Sequence, residues 1–294
     1  MHARYQQCVE MRHAAVSSSE AAAPAGDDGT VSKTGTLPFD VTIAHQARIY
    51  NYVLGGKDNY AADRAAAEAM MKVYPGLASD MRANRAFLGR VVRYLAGEAG
   101  IRQFLDIGTG IPAPGSTHEV AQAIAPQAQI VYVDYDPVVL AHARALLTSS
   151  GGGTIGYIDA DLRDTGTILD QAGRLLDFSQ PVAVTLLAIL HAVPDADDPH
   201  AVVARLLDAV PAGSYIAVSH LAADRITPDT RDAVGGVTNR MVKQQVSYRS
   251  REQVARFFDG TDLVEPGLVP AEEWRPAPGE GGQSSLWCAV GRKR

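Results

Sequence analysis

Cysteine is nearly absent: Cys8 and Cys288 are the only two in 294 residues, and they form neither a CxxC pair nor part of a histidine cluster. That spacing excludes a zinc site or a disulfide scaffold and points to a reducing cytoplasm. No long apolar run occurs either. The longest, residues 182–190, falls far short of the roughly 20 residues that span a bilayer, so no membrane helix is expected. The opening stretch MHARYQQCVEMRHAAVSSSE lacks the continuous apolar centre of a secretory signal. There is no basic tract, and 27 Lys+Arg against 33 Asp+Glu leave a net charge of −6. Nucleic acid is therefore not the expected partner, because nothing would release counterions from phosphates. Aromatic residues are scarce at 6%, yet 46% of the chain is hydrophobic and 20% charged, which excludes a disordered or fibrous protein. A chain of this length buries a real core without disulfides or metals.

Composition shifts near residue 40. Residues 17–36, SSSEAAAPAGDDGTVSKTGT, are small and polar, so 1–38 reads as a disordered tail and the folded part begins near Phe39. Over 82–96, Leu88, Val91, Val92 and Leu95 fall at i, i+3, i+4 and i+7, one stripe of an amphipathic helix. Arg82, Arg85, Arg90 and Arg93 then read as its solvated face. After Gly100 come short apolar runs, QFLDI, QIVYV, TIGYI, PVAVTLLAI and SYIAVS, separated by segments with helix-start signals. Asp136-Pro137, Asp198-Pro199 and Thr227-Pro228 each place a side-chain acceptor at an N-cap and a proline at N1. Ser250 and Gln253 make a capping box. Strand then helix, repeated, implies a parallel sheet wound on both faces, an α/β Rossmann-like doubly wound fold. Residues 261–265 and 284–290 lack a helix between them and should pair antiparallel at one edge. The organisation expected is a tail over 1–38, an N-terminal helical lid or substrate segment over 39–100, and a core over 101–294.

In such a sheet the ligand sits at the carboxyl ends of the strands, so the loop after the first strand is the place to look. It reads FLDIGTG. Gly108 and Gly110 let the backbone turn and approach a ligand closely, although Gly-x-Gly alone also describes an ordinary strand-to-helix turn. Asp106 lies inside the strand, an awkward place for a carboxylate unless it reaches a polar ligand or backbone amides. The next strand ends in Asp134, close to the roughly 20 residues at which a ribose-binding acid is expected. Asp136, before Pro137, reads instead as the N-cap. After TIGYI comes Asp159-Ala160-Asp161. Asp161 falls past the sheet edge, where it can accept from the exocyclic amine of a purine, unless both acids merely shape a turn.

The succession FLDIGTG, VYVDYDP, DADLRD, LLAILHAVPD resembles the motifs of class I S-adenosylmethionine-dependent methyltransferases. ARIYNYVLGGKDNYAADR, ANRAFLGR and VYVDYDPVVLAHARALL resemble, more narrowly, an S-adenosyl methyltransferase family formerly catalogued as a domain of unknown function. The likeness covers roughly 40–292. It implies a seven-stranded, mostly parallel sheet with an antiparallel C-terminal strand, plus N-terminal helices. It also implies S-adenosylmethionine as cofactor, with Gly108 and Gly110 facing the methionine, Asp106 helping to hold its amino group, Asp134 on the ribose and Asp161 on the adenine amine. One departure stands out: where a third glycine is expected, the chain has Ile111-Pro112-Ala113-Pro114 before Gly115. The turn should therefore be longer, with Thr109 or Ser116 offering polar contacts.

The sulfonium of that cofactor already activates its methyl group. The protein has to align the acceptor and, for a hydroxyl or amine, remove a proton. His191, after the fourth strand, is one candidate base, though a histidine beside an apolar run is often only packed. The others lie in 45–60, where His45, Tyr50, Tyr52, Lys57, Asp58, Asn59 and Tyr60 surround Gly55-Gly56. Tyr52 and Asp58 are singled out there, against a plain reading as a helix and turn packed on the sheet. The expected activity is methyl transfer to a small-molecule O or N acceptor. Two alternatives are a non-catalytic S-adenosylmethionine-binding regulator and a nicotinamide oxidoreductase, the latter weakened by the incomplete glycine fingerprint. The acids and histidines of HAVPDADDPH read as a capped turn, not a metal site.

Overall fold

The fold was obtained as a computed structural model, which describes residues 40–147, 153–242, 244–279 and 281–294. The expected tail over 1–38, with Cys8, and Phe39 lie outside the described residues. Three helices come first: α1 (Gln46–Val53), α2 (Ala61–Val73) and α3 (Leu77–Arg93). The alternation then follows as β1 (Gln103–Ile107), α4 (Thr117–Ile124), β2 (Gln129–Asp134), α5 (Pro137–Leu147), β3 (Ile155–Asp159), α6 (Thr165–Ala172), β4 (Ala183–Leu187), α7 (Pro199–Asp208), β5 (Tyr215–Leu221) and α8 (Pro228–Met241). A short α9 (Arg251–Ala255), β6 (Thr261–Leu263), β7 (Val269–Pro270) and β8 (Leu286–Lys293) complete it.

The caps read from the sequence form as expected. Asp136 accepts the Val138 amide at 2.6 Å, Asp198 that of Ala201 at 3.1 Å and Thr227 that of Thr230 at 3.3 Å. Ser250 and Gln253 exchange both bonds of the capping box. Each satisfies a donor that a helix start leaves open, typically worth about 1 kcal/mol.

The sheet runs in the order β3-β2-β1-β4-β5-β8-β6, with the two-residue β7 also on β8. The first five strands are parallel, while β8 is antiparallel to β5 and β6 to β8. Period-two alternation sends Leu105, Val131, Val184 and Val218 to one face, over α6, α7 and Phe257. Phe104, Ile130, Ala183 and Ala217 go to the other, against Phe87, Val91 and Leu95 of α3 and against Trp274. A fully buried side chain of this kind contributes about 1.5–3 kcal/mol. A third cluster joins Ile49, Ala66, Ala67 and Met70 of the N-terminal helices to Val237 and Val242 at the end of α8.

One expectation fails here. Arg90 does not lie on a solvated face: it is 7% exposed, and its guanidinium donates to the carbonyls of Trp274 and Ala271. Both carbonyls come from the far end of the chain, and neither is near Arg90 in sequence.

Candidate functional site

Because β1 to β5 run parallel, their carboxyl ends open on one edge, and the loops there carry most of the candidate residues. Gly108 and Gly110 both have positive φ, 74° and 65°, a region closed to most side chains. The Gly108 amide donates to the Val133 carbonyl at 2.8 Å, which folds the turn back on β2. The Thr109 hydroxyl donates to the Asp106 carbonyl at 3.0 Å, so it shapes the turn. Asp134 accepts the Gly110 amide at 2.8 Å on one oxygen and the Asp136 amide at 3.0 Å on the other. Burial raises its pKa, against the pull of those two amides.

Asp106 finds partners the sequence did not suggest. It is 5% exposed and accepts the Thr117 hydroxyl at 2.6 Å and the Thr185 hydroxyl at 2.7 Å, tying β1 to β4 and to the start of α4. Burial raises its pKa, and the two hydroxyls offset part of that. The loop with prolines in place of a third glycine is held by Arg85, whose guanidinium donates to the carbonyls of Ala113 (2.8 Å) and Pro114 (3.0 Å). Arg85 therefore serves this site instead of the solvent, and its charge also acts on Asp106.

Asp161 lies past β3 as expected, but Arg163 engages it closely. The Arg163 side chain donates to both carboxylate oxygens, at 2.9 and 2.6 Å, and its hydrogen bonds hold the Asp161 pKa down. Tyr135, which follows Asp134 at the end of β2, is 44% exposed, with its hydroxyl pKa raised by burial first and then by the charges of Asp161 and Asp134. Sequence reasoning passed over this tyrosine. The signal was present in the DYD triplet that ends β2: an aromatic residue flanked by two acids at a strand end has no core to enter.

The N-terminal helices reach this edge. His45 Nδ1 lies 2.7 Å from Asp136 Oδ2. The same nitrogen is 3.3 Å from the Ala47 amide, but one nitrogen cannot donate to a carboxylate and accept from an amide, so the shorter contact defines its proton. Burial would raise the Asp136 pKa, yet the His45 bond and charge together with the Val138 amide bring it below the ordinary value. Ala47 and Tyr60 pack on Ile111, Val138 and Val139, and a side chain added at Gly110 would meet Ala47 at 3.9 Å. Asp58 lies 3.4 Å from His142 Nε2 on α5. Asn51 staples the turn before it, accepting the Asp58 amide and the Asn59 side chain, each at 3.0 Å.

The remaining catalytic candidates stand apart. The Tyr52 hydroxyl donates to Glu68 at 3.0 Å on the outside of the α1–α2 pair. His191 is 8% exposed, edge-on to His220 at 6.1 Å, with its Nδ1 unpartnered. Burial, helped by the Arg249 charge, lowers its pKa to about 4. Its neighbour His220 shares a strand face with Val218, the face opposite Ser219 and α3. Among the described residues no group of His, Cys, Asp and Glu is arranged to hold a metal ion, and no helix is long and apolar enough to cross a membrane.

No curated protein matches the chain. Among solved structures, a DUF574 family protein from Streptomyces avermitilis is 43% identical over 87% of this chain and 99% of its own, with a TM-score of 0.83. A methyltransferase candidate from Thermobifida fusca is 39% identical over 87% of this chain and 97% of its own, at 0.78. Magnesium protoporphyrin IX methyltransferase from Synechocystis, solved with S-adenosylhomocysteine, shares the fold alone, at 12% identity over 84% of this chain and 93% of its own, with a TM-score of 0.52. The family model described as S-adenosyl methyltransferase matches residues 32–294, and with it the chain belongs to the S-adenosyl methyltransferase family, whose cofactor is S-adenosylmethionine.

Proposed function

We propose that the protein transfers a methyl group from S-adenosylmethionine to a hydroxyl or amine of a small molecule. The observation that carries this reading is the Asp134 carboxylate. The Gly110 amide fixes it at the mouth of the glycine turn, and it keeps lone pairs for two neighbouring ribose hydroxyls. The residues around it suit the rest of the cofactor. Tyr135 offers an aromatic face for the purine, and Asp161, kept ionised by Arg163, offers an acceptor for its amine. Gly108 and Gly110 would leave room for the methionine, Arg85 suits its carboxylate, and Asp106, held by the Thr117 and Thr185 hydroxyls at the base of the turn, suits its ammonium.

The bound sulfonium supplies an activated methyl group. The chain's work is then to orient the acceptor, exclude water and take up one proton. Residues 39–100 serve as lid and acceptor segment, held to α5 by the His45–Asp136 and Asp58–His142 pairs. Of the three catalytic candidates, Asp58 is retained in a supporting role: its carboxylate, held ionised below its ordinary pKa chiefly by the His142 bond, orients His142, and that imidazole takes up the proton. His191 is a weak base at a pKa near 4, and the Tyr52 hydroxyl is committed to Glu68. We place the reaction in the cytoplasm, in keeping with the free, buried thiol of Cys288, and on small molecules instead of nucleic acid, in keeping with the acidic balance.

The test is calorimetry with S-adenosylmethionine and S-adenosylhomocysteine, followed by incubation with methyl-labelled cofactor and a small-molecule extract. Micromolar binding and extract-dependent release of S-adenosylhomocysteine are expected. Absence of heat with both ligands would overturn the cofactor assignment. Binding without turnover in any extract would favour the regulatory reading.

A further inference from the structure

Three non-glycine residues among those described have a left-handed backbone: Ala188 at φ 51°, Asp198 at 44° and Arg275 at 47°. Asp198 caps α7 from that conformation, and the Arg275 side chain donates to Glu98 at 3.0 Å. Ala188 has no polar side chain to compensate a backbone that alanine adopts only at a cost. It directly follows β4, which pairs in parallel with β1, so it stands at the same edge as the glycine turn. The next side chain, Ile189, fills the space beside Gly108, with its Cγ1 2.5 Å from where a Cβ there would stand. Strain of this kind persists only where the surroundings impose it.

What imposes it is a series of hydrogen bonds that begins at the strained residue. The Ala188 amide donates to Ser219 on β5, at 2.8 Å to the hydroxyl and 3.1 Å to the carbonyl. The Ser219 hydroxyl donates to the side-chain oxygen of Asn84 on α3 at 2.5 Å. The Asn84 nitrogen donates to the hydroxyl of Tyr50 on α1 at 3.2 Å, and that hydroxyl donates to the Met81 carbonyl at 2.9 Å. Ser219 is fully buried and Asn84 nearly so. Every proton in the series points from the strand end toward the N-terminal helices, so each bond polarises the next and only one orientation of the Asn84 amide fits. Among the described residues no bond of the series reaches Asp134, Tyr135 or Asp161.

We propose that Ser219 and Asn84 are positioning residues for methyl transfer. Through the Ala188 amide they fix the Ala188–Ile189 peptide against the Gly108 turn, and that peptide forms the wall that seats the amino-acid end of S-adenosylmethionine. Tyr50 ties the same wall to the N-terminal helices. The assignment rests on the methyl-transfer reading of the glycine turn. The nucleoside end, which that reading gives to Asp134, Tyr135 and Asp161, should not sense the series.

The experiment compares S-adenosylhomocysteine with 5′-methylthioadenosine, which keeps the nucleoside and the sulfur but lacks the amino-acid end. Both are titrated by calorimetry into the full native chain and into Ser219→Ala, Asn84→Ala and Ala188→Gly, with melting temperatures taken on the same samples. Ser219→Ala removes the hydroxyl that receives the Ala188 amide, and Asn84→Ala removes the partner that orients that hydroxyl. Ala188→Gly adopts the left-handed backbone without strain, so its melting temperature should be no lower than native, while the freed peptide leaves its place more readily. Each variant should bind S-adenosylhomocysteine about tenfold more weakly, roughly the worth of one hydrogen bond to a charged group, and methylthioadenosine as the native chain does. Weaker binding by Ala188→Gly at undiminished stability marks a positioning role, because a merely structural one would show first in the melting temperature. Native S-adenosylhomocysteine affinity in Ser219→Ala and Ala188→Gly, or equal weakening of both ligands, would overturn the proposal and leave the cofactor reading standing. A native chain that binds neither ligand would overturn the cofactor reading, and the positioning role with it.

Discussion

Gly108 and Gly110 share a left-handed backbone but differ in what a side chain would meet. A Cβ on Gly108 would fall 2.5 Å from Ile189 Cγ1, whereas one on Gly110 has Ala47 at 3.9 Å and nothing closer. Gly108→Ala should therefore cost roughly 2–4 kcal/mol of stability, the left-handed penalty plus an overpacked contact. Gly110→Ala should cost about 1–2 kcal/mol, the left-handed penalty alone. Urea denaturation of both variants checks the order, and a larger loss at Gly110 would contradict it. His191 gives a pH signature. Held at a pKa of about 4 in the fold, it binds a proton only in the unfolded chain between there and its ordinary value near 6.5. Its contribution is therefore complete above about 6.5 and drains away as pH falls toward 4, by a few kcal/mol at about 1.4 kcal/mol per pH unit. His191→Leu should show a flatter loss of stability across that window, with His220, shifted the same way, supplying the remainder. Parallel pH curves for the two proteins would exclude it.

Helices α1 and α5 meet through side chains far apart in sequence, and that junction bears on ligand affinity. His45 holds Asp136, whose amide holds Asp134. Removing it in His45→Ala leaves a nearly buried carboxylate short of a partner, at a cost of about 1–3 kcal/mol. S-adenosylhomocysteine affinity should fall along with stability, whereas Tyr52→Phe, which loses an exposed bond, should stay within about 0.5 kcal/mol of native. Denaturation and calorimetry on the same preparations separate the two, and equal effects would break the link between His45 and Asp134. The contrast shows what the sequence can and cannot disclose. Asp136, Asp198, Thr227 and Ser250 were readable because a cap acts on amides two or three residues away. The glycine turn and Asp134 were readable because strand and turn are local. Arg90, Arg85 and the threonines around Asp106 were not, since their partners arrive only when distant segments pack, and an arginine on a helix carries no mark of which face it will present.

At the scale of the whole molecule, a cofactor that binds only the folded chain raises its stability by about 2.7 kcal/mol at 100 times its Kd. For a protein of this size that corresponds to a rise of roughly 5 °C or more in melting temperature, which differential scanning fluorimetry with S-adenosylhomocysteine would read. A chain beginning at Pro38 should give the same melting temperature and the same rise, because the residues before it are poor in apolar surface to bury. The mixed sheet as a whole was legible from the alternation of apolar runs and caps. The two-residue β7 was not, being too short to leave a pattern.

The third apolar cluster sets an order of assembly. Ile49, Ala66, Ala67 and Met70 leave the ribosome first, but Val237 and Val242, which cover them, are made only after β5, and the Ala44 amide waits for the carbonyl of Met241. The earliest helices can therefore be native only when most of the chain exists. During synthesis their apolar sides are open to chaperones and to other nascent chains, so a ribosome stalled before α8 would expose a sticky N-terminal hairpin of helices, although the core strands had already begun to pair.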